Sequence, residues 1–216
     1  MLDQLAHRLI ALQLQHPVRV AIDGVDAAGK TSLADELAAT LRQRGRQVIR
    51  ASIDGFHRPR AQRYWRGATS PEGYYIDSFD YGALRSALLQ PLGPHGSRRF
   101  RRAVFDYRAD APHLAAEEVA PADAILLFDG VFLLRPDIND QWDYRIFVDA
   151  PFAVTVERAV LRDTELFGSA EATRARYHER YIPGQQIYLS TVDPKRHAQV
   201  VVRNEDPDRP TVGFAS

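Results

Sequence analysis

The chain has 216 residues, 45% hydrophobic and 26% charged, with 28 Lys+Arg set against 28 Asp+Glu and no cysteine. Such a length suits a single α/β domain with a sizeable core, the zero net charge excludes a generally basic nucleic-acid or membrane surface, and the missing thiols exclude disulfides and thiolate metal sites. Asp3, His7 and Arg8 among the first leucines exclude a signal peptide, and the longest apolar run, 124–134, is broken by Asp129 and Gly130 and is too short to span a bilayer.

Leu2, Leu5, Leu9 and Leu12 recur at helical spacing and predict a helix over 2–15, ended by His16-Pro17. Val18 to Ile22 reads as the first strand. It runs into Gly24-Val25-Asp26-Ala27-Ala28-Gly29-Lys30-Thr31, the G-x-x-x-x-G-K-[ST] spacing of a P-loop, and then into a helical pattern from Ser32 to Arg44 with Gly45 as its stop. Gly24 and Gly29 permit turns closed to other residues and let backbone N–H groups approach phosphate oxygens. The helix start adds free N–H groups and the positive end of its dipole. Lys30 is then the cation for the β/γ-phosphates and Thr31 a Mg²⁺ ligand; Gly24, Asp26, Ala27, Ala28, Gly29, Lys30, Thr31 and Ser32 form the expected ATP-binding set. The competing reading is a glycine turn beside a surface lysine. Against it, Lys30 is one of two lysines in a chain that otherwise takes its positive charge from arginine, and a compact ammonium suits this position better than a guanidinium fork.

Gln47 to Ile53 reads as the second strand, ending in Asp54-Gly55-Phe56-His57. Asp54 is either a carboxylate that takes a proton from an attacking hydroxyl or the first residue of an Asx turn. His57 is either a substrate contact or a polar loop residue. Residues 58–77 form a long loop rich in Arg, Gly, Pro and aromatics, a composition that marks functional loops. Asp77 or Ser78 is placed to cap a helix to about Gln90. Residues 91–96 are a turn, 98–107 a short hairpin or edge strand, and 112–119 a short helix or loop. Ala124 to Phe128 suits a buried parallel strand, closed by Asp129, which either serves Mg²⁺ or caps the following turn. A strand over 145–148, a helix over 152–162, a charged segment over 163–180, a helix over 181–189, a strand over 197–202 and a loose tail over 204–216 complete the pass.

Alternating strands and helices predict a three-layer α/β P-loop NTPase fold with a mainly parallel central sheet. In such sheets ligands bind at the carboxyl ends of strands, where the P-loop, Asp54 and Asp129 all fall. Arg158 and Arg162 share a helix face, and with Arg174, Arg176 and Arg180 they make the 158–180 region strongly basic, a candidate arginine lid at about 163–180 that stabilises transferred charge. The same arginines equally suit a solvated face paired with Glu157, Glu165, Glu171 and Glu179. No N-K-x-D for guanine is present, and Asp129 is followed by Gly130 rather than by a water-activating Glu. These features read best as a small-molecule kinase, with a nucleotide-binding regulatory protein as the rival class.

At these residues the sequence resembles the uridine kinase, phosphoribulokinase and pantothenate kinase group of P-loop kinases, over roughly Val18 to Asn204. Asp54-Gly55-Phe56-His57 resembles the group's acidic D-x-F-[YH] segment, Arg162-Asp163 its R-D before the lid, and Tyr177, Tyr181, Pro183, Gln186 and Pro194 with residues 198–202 its approach to the last strand. The resemblance implies Asp54 as base, with Lys30 and Arg162 beside it in catalysis. It also implies ATP and Mg²⁺ as cofactors, the metal held by Thr31 and Asp129. His57, Tyr64, Asp106, Tyr107 and Arg108 form the acceptor-side set. The acceptor implied is a small molecule with a primary hydroxyl: a nucleoside such as uridine first, a pantothenate- or sugar-type molecule second. Two departures stand out. Phe105-Asp106-Tyr107 replaces a Y-D-F segment and Asp110 stands near the histidine expected after it, while Asp129-Gly130 replaces Glu-Gly. The expectation is one cytoplasmic kinase domain over 1–216, with no nucleic-acid or membrane partner and homo-oligomerisation left open.

Overall fold

A computed structural model describes residues 1–113, 116–207 and 209–214. In chain order it contains α1 (Leu2–Ala11), β1 (Val18–Gly24), α2 (Lys30–Gln43), β2 (Val48–Ser52), α3 (Arg60–Arg63), α4 (Pro71–Asp77) and α5 (Tyr81–Leu84). Four two-residue strands follow: β3 (Arg99–Phe100), β4 (Phe105–Asp106), β5 (Ala111–Pro112) and β6 (Glu118–Val119). Then come β7 (Ile125–Asp129), β8 (Tyr144–Asp149), α6 (Phe152–Phe167), α7 (Ala170–Arg176), α8 (Ile182–Val192), β9 (Val200–Arg203) and β10 (Thr211–Phe214).

Six strands make the central sheet in the order β10-β9-β8-β1-β7-β2, parallel throughout except for antiparallel β10. β1 and β7 are buried along their whole length, which is why their sequences are nearly continuous apolar runs. Arg19 and Asp23 are the charged exceptions inside β1; the Arg19 guanidinium meets both oxygens of Asp143, each at 3.0 Å, so that buried charge is paired. On one face of the sheet Leu5, Leu9, Leu37 and Leu41 from α1 and α2 pack on Val20, Ile22, Leu127 and Ile146. On the other, Leu84, Leu88, Phe132 and Trp142 pack on Ala21, Leu126 and Phe128. Each such fully buried side chain contributes about 1.5–3 kcal/mol. Register then fixes the site: Ile22 and Ser52 both lie opposite Asp129, so β1, β2 and β7 end level with one another.

Several elements differ from the sequence expectation. α1 stops at Ala11, because Leu12 turns extended and the chain must redirect into β1. The P-loop helix starts at Lys30, inside the motif, with left-handed Gly29 before it. The 58–77 segment is no irregular loop: Ser70 accepts from the Gly73 amide at 3.0 Å and Pro71 opens α4. Asp77 therefore ends a helix instead of starting one. Its carboxylate takes Trp65 Nε1 and Arg66 Nε, each at 2.8 Å, and Asp80 caps α5, which continues as a π-turn over Arg85–Leu89. The 98–107 segment forms no hairpin with itself; β3 pairs with β6 and β4 with β5. The short helix or loop expected over 112–119 includes residues 114–115, outside the described residues, and its ends are strands. α6 runs on through Phe167 to left-handed Gly168, taking the first five residues of the expected lid into regular helix. The tail is tied down, since β10 completes the sheet edge along β9. Among the described residues no helix is long and apolar enough to cross a membrane.

The segment 58–77, termed the flap below, is anchored by Arg180. This arginine, 2% exposed in the π-turn Tyr177–Tyr181, donates to the carbonyls of Arg63, Gly67, Ala68 and Ser70 at 3.0–3.2 Å. Its guanidinium also lies over the Tyr64 ring, 4.8 Å from the centroid. Arg180→Ala removes the side-chain donor from all four carbonyls, of which Gly67 and Ser70 keep a backbone N–H, and the expected outcome is a loss of about 2–4 kcal/mol in chemical denaturation together with early proteolytic cleavage near residues 63–70.

Candidate active site

The P-loop leaves β1 at Gly24, whose φ is +151°; a Cβ there meets the Val148 carbonyl oxygen at 2.3 Å. Gly29, with φ +96°, leaves room for Asn204, whose Nδ2 donates to the Ala28 carbonyl at 2.7 Å. Ala27 also holds a left-handed φ of +56°. The loop is thus fixed before any phosphate enters. Lys30 is buried and its Nζ donates to the Val25 carbonyl at 2.7 Å, folding the side chain back along the loop. Desolvation pulls its ammonium below the usual lysine range, and Asp26, Asp23 and Asp129 oppose that pull. Ser32 is exposed on the first turn of α2.

Thr31 Oγ1 donates to Asp129 Oδ2 at 2.6 Å. The other oxygen, Oδ1, takes Arg50 Nη2 at 2.9 Å, so Asp129 caps no turn; it is held by a helix start on one side and a neighbouring strand on the other. Arg50 is itself braced by Asp35 Oδ1 at 2.9 Å and the Leu127 carbonyl at 2.7 Å. A hydroxyl and one carboxylate are hard oxygen donors that fit Mg²⁺, which binds protein through one or two such groups and takes the remainder from phosphates and water. In keeping with that, no group of three or more acidic, His or Cys side chains among the described residues makes a self-sufficient metal cage.

Asp54 opens the 3₁₀ turn Ile53–Phe56 beyond β2. Ser52, not Asp54, supplies the turn's cap, its Oγ accepting from the Asp54 amide at 3.4 Å. Asp54 is exposed as a residue, yet enough protein surrounds its carboxylate to strip part of its hydration. Its pKa is pushed up to about 6, first by desolvation, then by the like charges of Asp26 and Asp129, with Lys30 and Arg162 pulling the other way. His57 bonds through Nδ1 to the Asp54 carbonyl at 3.2 Å and stacks on Tyr107 with ring centroids 5.0 Å apart. Desolvation and the Arg63 charge lower its pKa to about 4, so the ring is neutral at physiological pH.

The remaining acceptor-side candidates divide. Tyr107 and Arg108 stand at this mouth: Arg108 Nε donates to the Tyr107 hydroxyl at 3.3 Å, and the Asp54 carboxylate adds to the stabilisation of its charge. Asp106 caps its own turn, accepting from the amides of Arg108 at 2.9 Å and Ala109 at 3.2 Å, which hold its carboxyl below the usual range. Tyr64 sits among Arg60, Arg63, Arg176 and Arg180, in the anchor of the flap. The lid arginines divide as well. Arg162 pairs with both oxygens of Asp163 at 2.7 and 2.8 Å and donates to the Tyr177 hydroxyl at 3.1 Å, and its charge reaches Lys30 and Asp54. Arg158 donates to the Glu205 carbonyl at 2.9 Å, Arg174 pairs with Glu157 at 2.8 Å, and Arg176 lies over Tyr64 and Tyr181.

Sequence reasoning missed Asp23, Arg50, Tyr74, Gln185 and Tyr188. Asp23 is fully buried at the end of β1, where it accepts from the Tyr188 hydroxyl and, at 3.3 Å, from the Leu133 amide. Burial pushes its pKa up to about 6, against those hydrogen bonds. A charge closing an apolar strand was a legible signal for Asp23; nothing local marks the other four.

No protein-family model matches the chain. A curated relative, uridine-cytidine kinase B of Dictyostelium discoideum, is 26% identical over 192 residues, spanning 87% of this chain and 75% of the relative. A solved structure described as a possible uridine kinase from Bacillus stearothermophilus superposes with a TM-score of 0.72 at 24% identity, covering 93% of this chain and 96% of that one. Another, provisionally named a fructose transport system kinase, from Silicibacter sp. TM1040, gives 0.73 at 23% identity, covering 88% and 94%.

Proposed function

We propose that this chain, a P-loop phosphotransferase of the uridine kinase group acting on a hydroxyl, moves the γ-phosphoryl group of ATP onto the primary hydroxyl of a nucleoside such as uridine. The observation that carries the reading is the Asp54 carboxylate: exposed, within charge reach of Lys30, and beyond the same strand ends as the Thr31–Asp129 pair. N–H groups of residues 26–31 hold the phosphates, and Lys30 neutralises the β/γ oxygens. Thr31 and Asp129 are the residues to hold Mg²⁺, which in such kinases offsets charge on the transferring group. Asp54 takes the hydroxyl proton as the oxygen attacks, and Arg162 meets the charge that spreads over the phosphoryl oxygens. We read 1–216 as one kinase unit with its lid at about 163–180. The test is acceptor-dependent ADP release across a panel of nucleosides, sugars and pantothenate; a uridine signal no higher than the no-acceptor control rejects the nucleoside reading.

The second reading is a sugar- or pantothenate-type acceptor. It is favoured by the segment 105–107, which reads Phe-Asp-Tyr where the uridine kinase group carries Y-D-F, with Asp110, which accepts from the Arg60 amide at 2.7 Å, near the position of the histidine expected after it. The same panel separates the two.

Only ionised Asp54 accepts a proton, so kcat/KM rises with pH through about 6 and levels above it, falling tenfold per unit on the acid side. Asp23 shares that value, and Tyr188→Phe distinguishes the two: it removes a hydrogen bond that holds Asp23 down and moves Asp23 higher, whereas an Asp54 limb stays put. A limb near 4, or one that follows Tyr188, contradicts the assignment to Asp54.

A further inference from the structure

Gln185 lies on α8, far in sequence from the P-loop, and is 2% exposed. Its Oε1 accepts from the Asp26 backbone N–H at 2.6 Å, while its Nε2 donates to Asp26 Oδ2 at 3.3 Å and to the Tyr181 carbonyl at 2.9 Å. The amide has one acceptable orientation. Turned over, its NH₂ would face the Asp26 N–H, and its oxygen would face both the Asp26 carboxylate and the Tyr181 carbonyl. Asp26 Oδ2 also accepts from the Tyr74 hydroxyl at 2.7 Å, and Tyr74 belongs to α4 of the flap. One P-loop residue is therefore gripped at its backbone from α8 and at its carboxylate from both α8 and the flap. The Tyr74 ring is set by edge contacts with Phe132, at 5.1 Å, and Tyr181, at 4.8 Å. Nothing in the hydroxyl's removal disturbs that packing.

Resting on the nucleotide-binding reading above, we propose that Gln185 and Tyr74 are positioning residues for phosphoryl transfer: they fix Asp26, and through it the P-loop, to the flap, so that nucleotide in the loop is registered on the acceptor side. The Asp26 carboxylate has two donors, the Tyr74 hydroxyl and the Gln185 amide, which hold it in one place. A phosphate entering the loop must adjust the Asp26 N–H, the same group that Gln185 accepts from. That adjustment passes to Tyr74 through the shared carboxylate, and from Tyr74 along α4.

The flap carries its own reporter. Trp65 is 70% exposed and is tied through Nε1 to Asp77 at the end of α4, whereas the second tryptophan, Trp142, is 3% exposed in the core. The experiment measures MgADP affinity by calorimetry and, in parallel, the change in Trp65 emission and acrylamide quenching as MgADP is added, with no acceptor present. In the wild type, bound MgADP shifts the Trp65 signal. Tyr74→Phe binds MgADP within about threefold of wild type but loses the Trp65 response. Gln185→Ala loses the response and weakens MgADP about tenfold, since a displaced phosphate-binding loop costs that order. Thermal unfolding identifies a variant that has not folded; Tyr74→Phe, which keeps every ring contact, then decides alone. A wild-type Trp65 silent to bound MgADP, a full response in Tyr74→Phe, or unchanged affinity in folded Gln185→Ala overturns the proposal. Absence of any calorimetric MgADP signal in the wild type overturns instead the nucleotide-binding reading on which it rests.

Discussion

Asp54→Asn lowers kcat by about 10³-fold and leaves MgADP affinity within about threefold of wild type. The substitution keeps shape and polarity and removes the one capacity assigned to this side chain, acceptance of a proton. The turn survives, because Ser52 caps it and the Asp54 carboxylate does not. ATP-side contacts survive too, because the P-loop is braced by Asn204, Gln185 and its own lysine without help from Asp54. The amide also removes a negative charge near Asp26 and Asp129, which eases phosphate entry slightly. The expected pattern is thus a large fall in kcat with no rise in nucleotide Kd, measured by steady-state ADP release and by calorimetry. A kcat within tenfold of wild type on the true acceptor would falsify the base assignment.

Lys30→Ala lowers kcat/KM for ATP by at least about 10³-fold, with both parameters affected. Lys30 differs from an ordinary surface cation in two respects. It is buried, so its charge acts through little water, and its Nζ is held on the Val25 carbonyl, so it does not have to be gathered from solvent when phosphate arrives. Burial lowers its pKa, and the charges of Asp26, Asp23 and Asp129 oppose that shift. Lys30→Arg recovers little of the loss, because a planar fork does not fit a slot shaped for an ammonium folded back over the loop. MgADP calorimetry and ATP-dependent turnover check both variants. Wild-type affinity for MgADP in Lys30→Ala contradicts the phosphate role.

The P-loop was legible because its information is local: two glycines, a lysine and a threonine at fixed spacing between an apolar strand and a helix. The parallel sheet was legible for the same reason, since β1 and β7 are apolar runs whose both faces are covered. Asp129 was legible in place but not in its bracing, because Arg50 comes from a neighbouring strand and only the register brings it within reach. Gln185 and Tyr74 were invisible: each sits in a helix whose pattern reports packing, and the contact with Asp26 spans 159 and 48 positions. The lid arginines were legible as a charge run but not in their partners. Charge runs say nothing about direction, and Arg158 and Arg174 are spent on Glu205 and Glu157. Two misses were avoidable. Ser70-Pro71 is a helix start, and Gly168 is a helix stop, and both stand in the sequence.

The strand order has a consequence for how this chain changes over time. β2 is the outermost strand, paired with β7 alone in the central sheet, and among the described residues the run from Ile53 to Ala124 leaves β2 and returns to β7 without contributing a strand to that sheet. The excursion holds Asp54, the flap, His57 and the Tyr107–Arg108 pair, whereas Gly24–Thr31 and Asp129 belong to β1, α2, β7 and the loop between β1 and α2. That stretch is thereby a cassette clipped to one open margin. It can lengthen, shorten or be exchanged with no strand re-threaded and no register altered at the phosphate end. Two such proteins can therefore share a frame at the phosphate end while their cassettes differ everywhere except at the residues, Asp54 and Tyr74, that face that frame.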